Sequence, residues 1–402
     1  MNRLILIGNG FDLAHGIKTS YKDFILSYLK MAFNTAKNSY KYDDELLTVT
    51  LNMEYIKRLN HDNIDIWELH DFYKYIQPNN ESDSHYNYDI YLNNNEYIFE
   101  IKSELILKLL ICCEEYNWVD IENEYYKTLC TLASKNKESE IFKLNSDFQI
   151  LQNLLQNYLG KIETEYFLNM PDVSNSLLVS KLTELIEHNA APKPLLEYLV
   201  SNVTTRNKNK TAEKIEAKGI LFLNFNYTST IENYSEKIKE IVPNTSIIYI
   251  HGKLRDSNNP IIFGYGDEEE TNFKALEKYD ECLKYVKTYW YLRTHNYERL
   301  LTFIDSDQFE VYIMGHSCGM SDKTMLSSIF NNPNCKKIKI LTYDKTEGRK
   351  NLDISTTNYI EMTYQIGRLF NEKSELRKKL IPFDSRDVLN VKLKNHEIPG
   401  IK

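Results

Sequence analysis

Six short, β-branched apolar runs, each followed by a glycine-rich or polar turn, constrain this chain more than any other feature. Residues 4–7 (LILI) run into Gly8-Asn9-Gly10, residues 219–223 into Asn224-Phe225-Asn226, and residues 246–250 into His251-Gly252. Residues 261–263 lead to Gly264-Tyr265-Gly266, residues 309–314 to Gly315-His316-Ser317, and residues 338–342 to Tyr343-Asp344. Near-continuous apolar runs of this length suit strands buried on both faces of a largely parallel sheet. In such a sheet ligands bind beyond the carboxyl ends of the strands, where nearly all the special residues of this sequence fall.

The first run stands apart from the others, and what separates them reads as helix. Phe148, Leu151, Leu154, Leu155, Tyr158, Leu159, Ile162 and Tyr166 recur at three- and four-residue steps, as do Leu178, Leu182, Leu185 and Ile186. Such spacing places them on one helical face. Polar stretches at 79–95 and 204–210 read as loops, and no internal repeat is present. With one domain taken as ~150 residues, 402 residues suggest two domains or one carrying a large insertion. The expected fold is therefore α/β: a Rossmann-like, largely parallel sheet with a large all-helical insertion after the first strand–turn–helix unit. The sheet would be built from residues 1–21 and 216–350, the insertion from 22–215 and a C-terminal helical tail from 351–402. An insertion at a surface loop adds little closure entropy.

Composition narrows the class. A net charge of −8 argues against a protein held on nucleic acid by bulk charge. Six cysteines, Cys112, Cys113, Cys130, Cys282, Cys318 and Cys335, include no C-x-x-C pair, as expected of reduced thiols. The opening MNRLILIGNGFDL meets glycine and aspartate too early for a signal sequence, and residues 105–113 are interrupted by Lys108. That apolar stretch is far below the ~20 residues of a membrane span. A cytoplasmic protein with no membrane partner is expected. His61, Asp62, Asp65 and His70 lack ligand spacing, so no metal site is expected.

Among the turns, Gly8-Asn9-Gly10 with Gly16 has the spacing G-x-G-x5-G, which differs from the dinucleotide fingerprint G-x-G-x-x-G. Glycines there permit close approach of a ligand and a helix start can meet a phosphate, but a tight turn with no ligand satisfies the pattern equally. Asn226 and His251 each end an apolar strand. An imidazole near its pKa can take a proton from a sugar hydroxyl, and an amide can position water or ribose. A histidine before glycine is, taken singly, more often structural; two polar groups at one sheet edge favour a site. Gly264-Tyr265-Gly266-Asp267-Glu268 adds a turn with acidic groups, for which a solvated loop is the plain alternative. Gly315-His316-Ser317-Cys318-Gly319 matches the G-x-S-x-G nucleophile elbow of serine hydrolases, with Asp344 and His396 following in the required order. Only one strand separates Ser317 from Asp344, which is cramped for such a triad. Thr356-Thr357-Asn358-Tyr359 falls beyond the last strand and is given no role.

The opening LILIGNGFDLAHGIKTSYKDF, with FLNFNYTSTIE, IHGKL, IIFGYGDE and YIMGHSCGMSD in that order, resembles the AbiH family of bacteriophage abortive-infection proteins. Trp118 and Glu122 resemble a W-x-x-x-E patch of that family. More distantly, the turns are similar to sirtuin-like NAD-hydrolysing domains of other phage-defence proteins. Gly8, Gly10, Gly16 and Ile17 match the G-A-G-x5-G-I-P turn, Asn226-Tyr227-Thr228 the T-T-N-Y-D turn, and His251-Gly252 the H-G pair. Gly315-His316-Ser317 matches the later G-x-S that holds the adenosine ribose. The resemblance implies that Asn226 and His251 are catalytic, Asn226 positioning water or ribose and His251 acting as base on a ribose hydroxyl. It implies a nucleotide held by Gly8, Asn9, Gly10, Phe11, Asp12 and Gly16 at the pyrophosphate, and by Gly315, His316, Ser317 and Asp344 towards the adenosine. The sequence departs at Thr228, where the motif has aspartate, and at Ser20-Tyr21, where it has Phe-Arg. It also lacks the four-cysteine zinc module, which argues against deacetylation.

The expectation is an anti-phage abortive-infection protein with a nucleotide pocket, NAD as the candidate substrate and no required cofactor. A non-catalytic nucleotide-binding sensor and a serine hydrolase using Ser317 are the competing expectations. A phage trigger is implied without being identified, and assembly into a homo-oligomer is open.

Overall fold

The computed structural model describes residues 1–51, 97–116, 120–168, 218–266, 273–343 and 353–388. Strand β1 (Asn2–Ile7) leads through Gly8 into α1 (Asn9–Ala14) and then α2 (Tyr21–Ser39). A small antiparallel sheet follows, made of β2 (Lys41–Asp43), β3 (Leu47–Leu51) and β4 (Tyr97–Ile101). Helices α3 (Glu104–Tyr116), α4 (Ile121–Ser134) and α5 (Glu138–Leu168) come next. The chain returns with β5 (Ile220–Asn224), α6 (Glu232–Ile241) and β6 (Thr245–Tyr249). Short helical turns at Phe273–Leu276, Asp280–Leu283 and Lys287–Tyr291 precede α7 (Asn296–Ser306). Strand β7 (Phe309–Met314), α8 (Lys323–Asn331) and β8 (Cys335–Leu341) complete the sheet, followed by α9 (Tyr359–Arg368) and α10 (Lys373–Lys379).

The main sheet has the order β6-β5-β1-β7-β8, and every neighbouring pair is parallel. The α/β expectation is met. The first strand sits at the centre, so its apolar residues are covered on both faces. Leu4 and Leu6 point into a cluster with Leu300, Leu326, Ile329, Phe330 and Ile366, from α7, α8 and α9. Ile5 and Ile7 point the other way, among Phe222, Tyr234 and Ile238. Alternation along a strand thus feeds two separate apolar layers, which is why the run carries no polar residue.

The insertion needs one correction: it is not wholly helical, because β2, β3 and β4 form a three-stranded sheet within it. Thr48, Val49 and Thr50 give β3 the β-branched character that suits a strand. Helix α2 begins where the Ser20 hydroxyl accepts the Asp23 N–H at 3.1 Å, and it buries Phe24, Tyr28, Ala32 and Phe33. The face expected on α5 is present, with Phe148, Leu151, Leu155 and Leu159 buried; the group around Leu178 lies outside the described residues. Phe148 stacks on Phe263 with ring centroids 4.7 Å apart, joining the insertion to the segment after β6.

That segment corrects a second expectation. Residues 261–263 form no strand, although Ile261, Ile262 and Phe263 are buried. Ile261 and Phe263 pack in the same cluster as the insertion helices, which explains an apolar run without any sheet pairing. A short buried run does not distinguish the two by periodicity. The C-terminal elements fold back on the sheet: Leu380 bridges Ile338 and Val388 bridges Thr342.

Candidate functional site

The register brings the turns together. Ile7 pairs with Asn224 and with Met314, and Asn224 pairs with Tyr249. Four strands therefore end level, and Gly8, Asn226, His251 and His316 emerge at one edge.

The glycine turn is packed against the turn after β7. Gly10 donates its N–H to Gly315 O at 2.8 Å, and Gly8 donates to Met314 O at 3.2 Å. A Cβ on Gly8 would lie 2.4 Å from His316 Cα, and one on Gly315, whose φ is +74°, would lie 2.2 Å from Phe11 N. These glycines let two backbones touch, a requirement the chain itself imposes before any ligand does. Asn9 is exposed and accepts a hydrogen bond from the Thr19 hydroxyl, while Phe11 is buried. Gly16 closes the turn after α1 with φ +77°.

Asn226 ties the next turn to the first. Its Nδ2 donates to Gly8 O at 3.0 Å, and its N–H donates to Asn224 Oδ1 at 3.1 Å. The Thr228 hydroxyl donates to Asp12 Oδ2 at 2.5 Å, so the Asn226 turn also partners the aspartate of the glycine turn. Asp12 is buried, and burial pushes its pKa up to about 6 against the opposing hydrogen bond from Thr228.

His251, at the end of β6, sits in a cluster that five stretches of chain build. Its Nε2 is 3.0 Å from Asp322 Oδ1 and 3.1 Å from the Tyr291 hydroxyl. Lys287 Nζ lies 2.9 Å from the same carboxylate oxygen and 3.3 Å from the Glu122 carboxylate. Glu122 Oε1 accepts the Gly264 N–H at 2.9 Å, and His316 Nε2 faces Asp322 Oδ2 at 3.7 Å. His251, Asp322, Lys287, Glu122 and His316 are each less than a tenth exposed, and Tyr291 is half-buried. His316 Nδ1 accepts the Cys318 N–H at 3.0 Å, and the Phe225 ring packs against both imidazoles, its centroid 4.0 Å from that of His316 and 5.2 Å from that of His251.

Burial alone would raise the Asp322 pKa, but the Lys287 ammonium and His251 hold it well below the usual carboxylate range. An ionised oxygen 3.0 Å away requires a hydrogen on His251 Nε2. Burial, with the Lys287 charge, lowers the His251 pKa, so the ring is neutral near pH 7 and Nδ1 carries the lone pair. Glu122 behaves oppositely to Asp322: burial raises it to about 7 despite Lys287. Two carboxylates flanking one cation thus have widely separated affinities for a proton, a pattern common at functional sites.

A family model described as bacteriophage abortive infection AbiH matches residues 4–344. The chain belongs to the AbiH family. No curated protein matches it. The AbiH match spans β1 to the end of the sheet and includes every residue of the cluster.

Sequence reasoning on this AbiH chain named Asn226, His251 and His316 but assigned no role to Asp322, Lys287 or Tyr291. Asp322 closes the run YIMGHSCGMSD that carries part of the family resemblance, and Glu122 is half of the W-x-x-x-E patch. Lys287, in the plain stretch YVKTYW, offered no signal. Ser317 is exposed, and positive φ falls on Gly315 and Cys318 rather than on the serine, unlike a strained nucleophile elbow. Asp344 and His396, the rest of that arrangement, lie outside the described residues, as do Trp118, Asp267, Glu268 and the His61–His70 group. Among the described residues, no helix is long and apolar enough to cross a membrane.

Proposed function

We propose that this AbiH protein is an abortive-infection effector that takes a nucleotide at the carboxyl edge of its sheet and hydrolyses NAD between nicotinamide and ribose. The observation that carries the reading is His251: a buried neutral imidazole, fixed by a carboxylate, at the same edge as the glycine turn. In the reaction, water adds to C1′ of the ribose as the bond to the nicotinamide nitrogen breaks. Nicotinamide leaves neutral, the pyridinium charge having taken the bonding electrons, and one proton remains for a base. His251 Nδ1 is the lone-pair nitrogen suited to accept a ribose or water proton, and Asn226 orients the sugar or the water. Asp322 stabilises the imidazolium that forms. Loss of a positioned acid–base group typically lowers rate by ~10²–10⁴-fold.

The test is incubation of purified protein with NAD, with free nicotinamide followed by NMR, beside His251→Ala and with phage lysate added in parallel. Nicotinamide release that disappears in the folded His251→Ala protein supports the reading; full activity in that variant sinks it.

One observation favours a second reading, a non-catalytic nucleotide sensor. The amides of Gly8 and Gly10 and the Asn226 side-chain amide are already committed to the protein's own carbonyls. Tight nucleotide binding without turnover, and phage protection insensitive to His251→Ala, would select it.

A further inference from the structure

The insertion contributes a carboxyl side chain to the centre of the site. Glu122 stands in the first turn of α4, which starts where the Asp120 side chain accepts the Asn123 N–H at 3.0 Å. Lys287 is fixed independently by its backbone. Tyr265 N donates to Tyr285 O at 3.0 Å and Lys287 N to Tyr265 O at 2.9 Å, a short ladder that aims the side chain inward. The ammonium then lies between Glu122 and Asp322, at 3.3 and 2.9 Å, with Ser321 O at 3.5 Å.

We infer that Lys287 and Glu122 are positioning residues for His251: Lys287 keeps Asp322 ionised beside Nε2, and Glu122, from the insertion, anchors Lys287. The inference takes the His251–Asp322 pair as the working part of the proposed site, but its logic is electrostatic and needs no turnover.

The groups around Asp322 divide cleanly. Burial opposes its charge, while the Lys287 ammonium, the His251 N–H and the His316 N–H favour it. Of these only Lys287 carries a full positive charge when His251 is neutral. Remove that charge and the buried Asp322–His251 pair takes up a proton. It goes on the ring as an imidazolium, since the Lys287 charge no longer holds the His251 pKa down, or on the carboxyl, since a carboxylate out of water and beside a neutral ring is strongly disfavoured. In the second case Asp322 becomes a hydrogen-bond donor. Facing Nε2 at 3.0 Å, it makes that nitrogen the acceptor, and the imidazole hydrogen moves to Nδ1. In both cases Nδ1 carries a hydrogen and is no longer free to act as base. Lys287 thus governs whether His251 Nδ1 is basic without touching that ring. Glu122 adds a second carboxyl partner to the ammonium, so displacement of α4 would loosen the cation that sets the site.

The experiment reads the tautomer directly. The full-length chain is labelled with ¹⁵N-histidine, two-bond ¹⁵N–¹H correlations are recorded near neutral pH, and the His251 signals are assigned by their loss in His251→Asn. The expected result is an Nε2–H tautomer in the unmutated protein and, in Lys287→Met, a hydrogen on Nδ1 in at least half the population, as the Nδ1–H tautomer or as the imidazolium. An Nδ1–H tautomer in the unmutated protein overturns the inference, and so does an unchanged pattern in Lys287→Met. Should Lys287→Met fail to fold, the isosteric Glu122→Gln decides: a reduced Nε2–H share supports the anchor, and the unmutated pattern overturns it. The nicotinamide assay separates this from the proposed function. A tautomer that follows Lys287 without NAD cleavage leaves the inference standing, whereas NAD cleavage with a tautomer indifferent to Lys287 removes it alone.

Discussion

Gly8 and His316, far apart in the sequence, meet so closely that a single added carbon on Gly8 would lie 2.4 Å from the His316 backbone. The contact locks the turn after β1 onto the turn after β7, and Gly10 reinforces it through Gly315 O. Both Gly8→Ala and Gly315→Ala should therefore destabilise the fold. The second should be worse, because its φ of +74° also strains any side chain. Overpacking of this kind costs ~1–3 kcal/mol. Urea unfolding should show a loss in that range for Gly8→Ala; a midpoint equal to the parent's would mean the two turns can separate freely.

Asp322 has the most to lose by truncation. Asp322→Ala leaves the Lys287 ammonium buried, with Glu122 as its remaining carboxyl partner, and leaves the His251 N–H with the Tyr291 hydroxyl in place of a carboxylate. Breaking one side of a buried ion pair typically costs ~3–5 kcal/mol. Chemical denaturation should show a loss of that size, with part of it recovered in the double variant Lys287→Met/Asp322→Ala. A single variant as stable as the parent would show that solvent reaches the cluster freely.

How far these groups were legible in the sequence follows from what brings them together. The strands were readable because residues of β1 are buried on both faces, which leaves an uninterrupted apolar run. The candidate edge was readable because parallel strands place Gly8, Asn226, His251 and His316 at one level. Lys287 was not, because its partners lie on α4 and before α8, and pairing across such distances leaves no local pattern. Residues 261–263 misled for the opposite reason: burial by the insertion gives the same apolar signature as burial in a sheet. The small sheet of β2, β3 and β4 left a partial trace in the run Leu47-Thr-Val-Thr-Leu51, but its first strand, Lys41-Tyr-Asp43, is polar and short.

Asp12 should give the folded protein a pH dependence of definite sign. Its pKa is raised from 3.8 to about 6, chiefly by burial, with Glu163 adding repulsion and Thr228, Thr230 and Asn226 opposing. Between those values the folded state holds a proton that the unfolded state has released. The contribution is fully present below about pH 4 and is lost as pH rises through about 6. Asp12→Asn mimics the protonated form and removes this dependence. The variant should gain stability relative to the parent as pH rises from 4 to 7, by on the order of 3 kcal/mol in all. Urea midpoints for both proteins across that range would check it, and a constant difference would place the Asp12 carboxyl in contact with water.

The insertion also grips the turn that carries Asn226. Glu163, near the end of α5, accepts the Ser229 N–H at 2.8 Å and its hydroxyl at 2.9 Å, while its other oxygen accepts Arg255 Nη1 at 3.1 Å. Arg255 reaches back to Gly160 O and, at 2.6 Å, to the Thr164 hydroxyl, so the contact is a clamp rather than a single bond. Glu163 is nearly fully buried, and its removal strands three donors at once. Each stranded donor costs ~1–3 kcal/mol if it stays buried, although the exposed Arg255 head can turn to water. Glu163→Ala should therefore lose ~2–4 kcal/mol, mostly through Ser229. Native-state hydrogen exchange is the sharper readout: the Ser229 amide should exchange at least tenfold faster in the variant, while amides in the centre of β1 change only as far as global stability does. If Ser229 were no faster than those strand amides, α5 would be a passive cover over the edge. If it were much faster, the clamp would be what holds the Asn226 turn against the glycine turn, and the insertion would act on the site from two helices, through Glu122 and through Glu163.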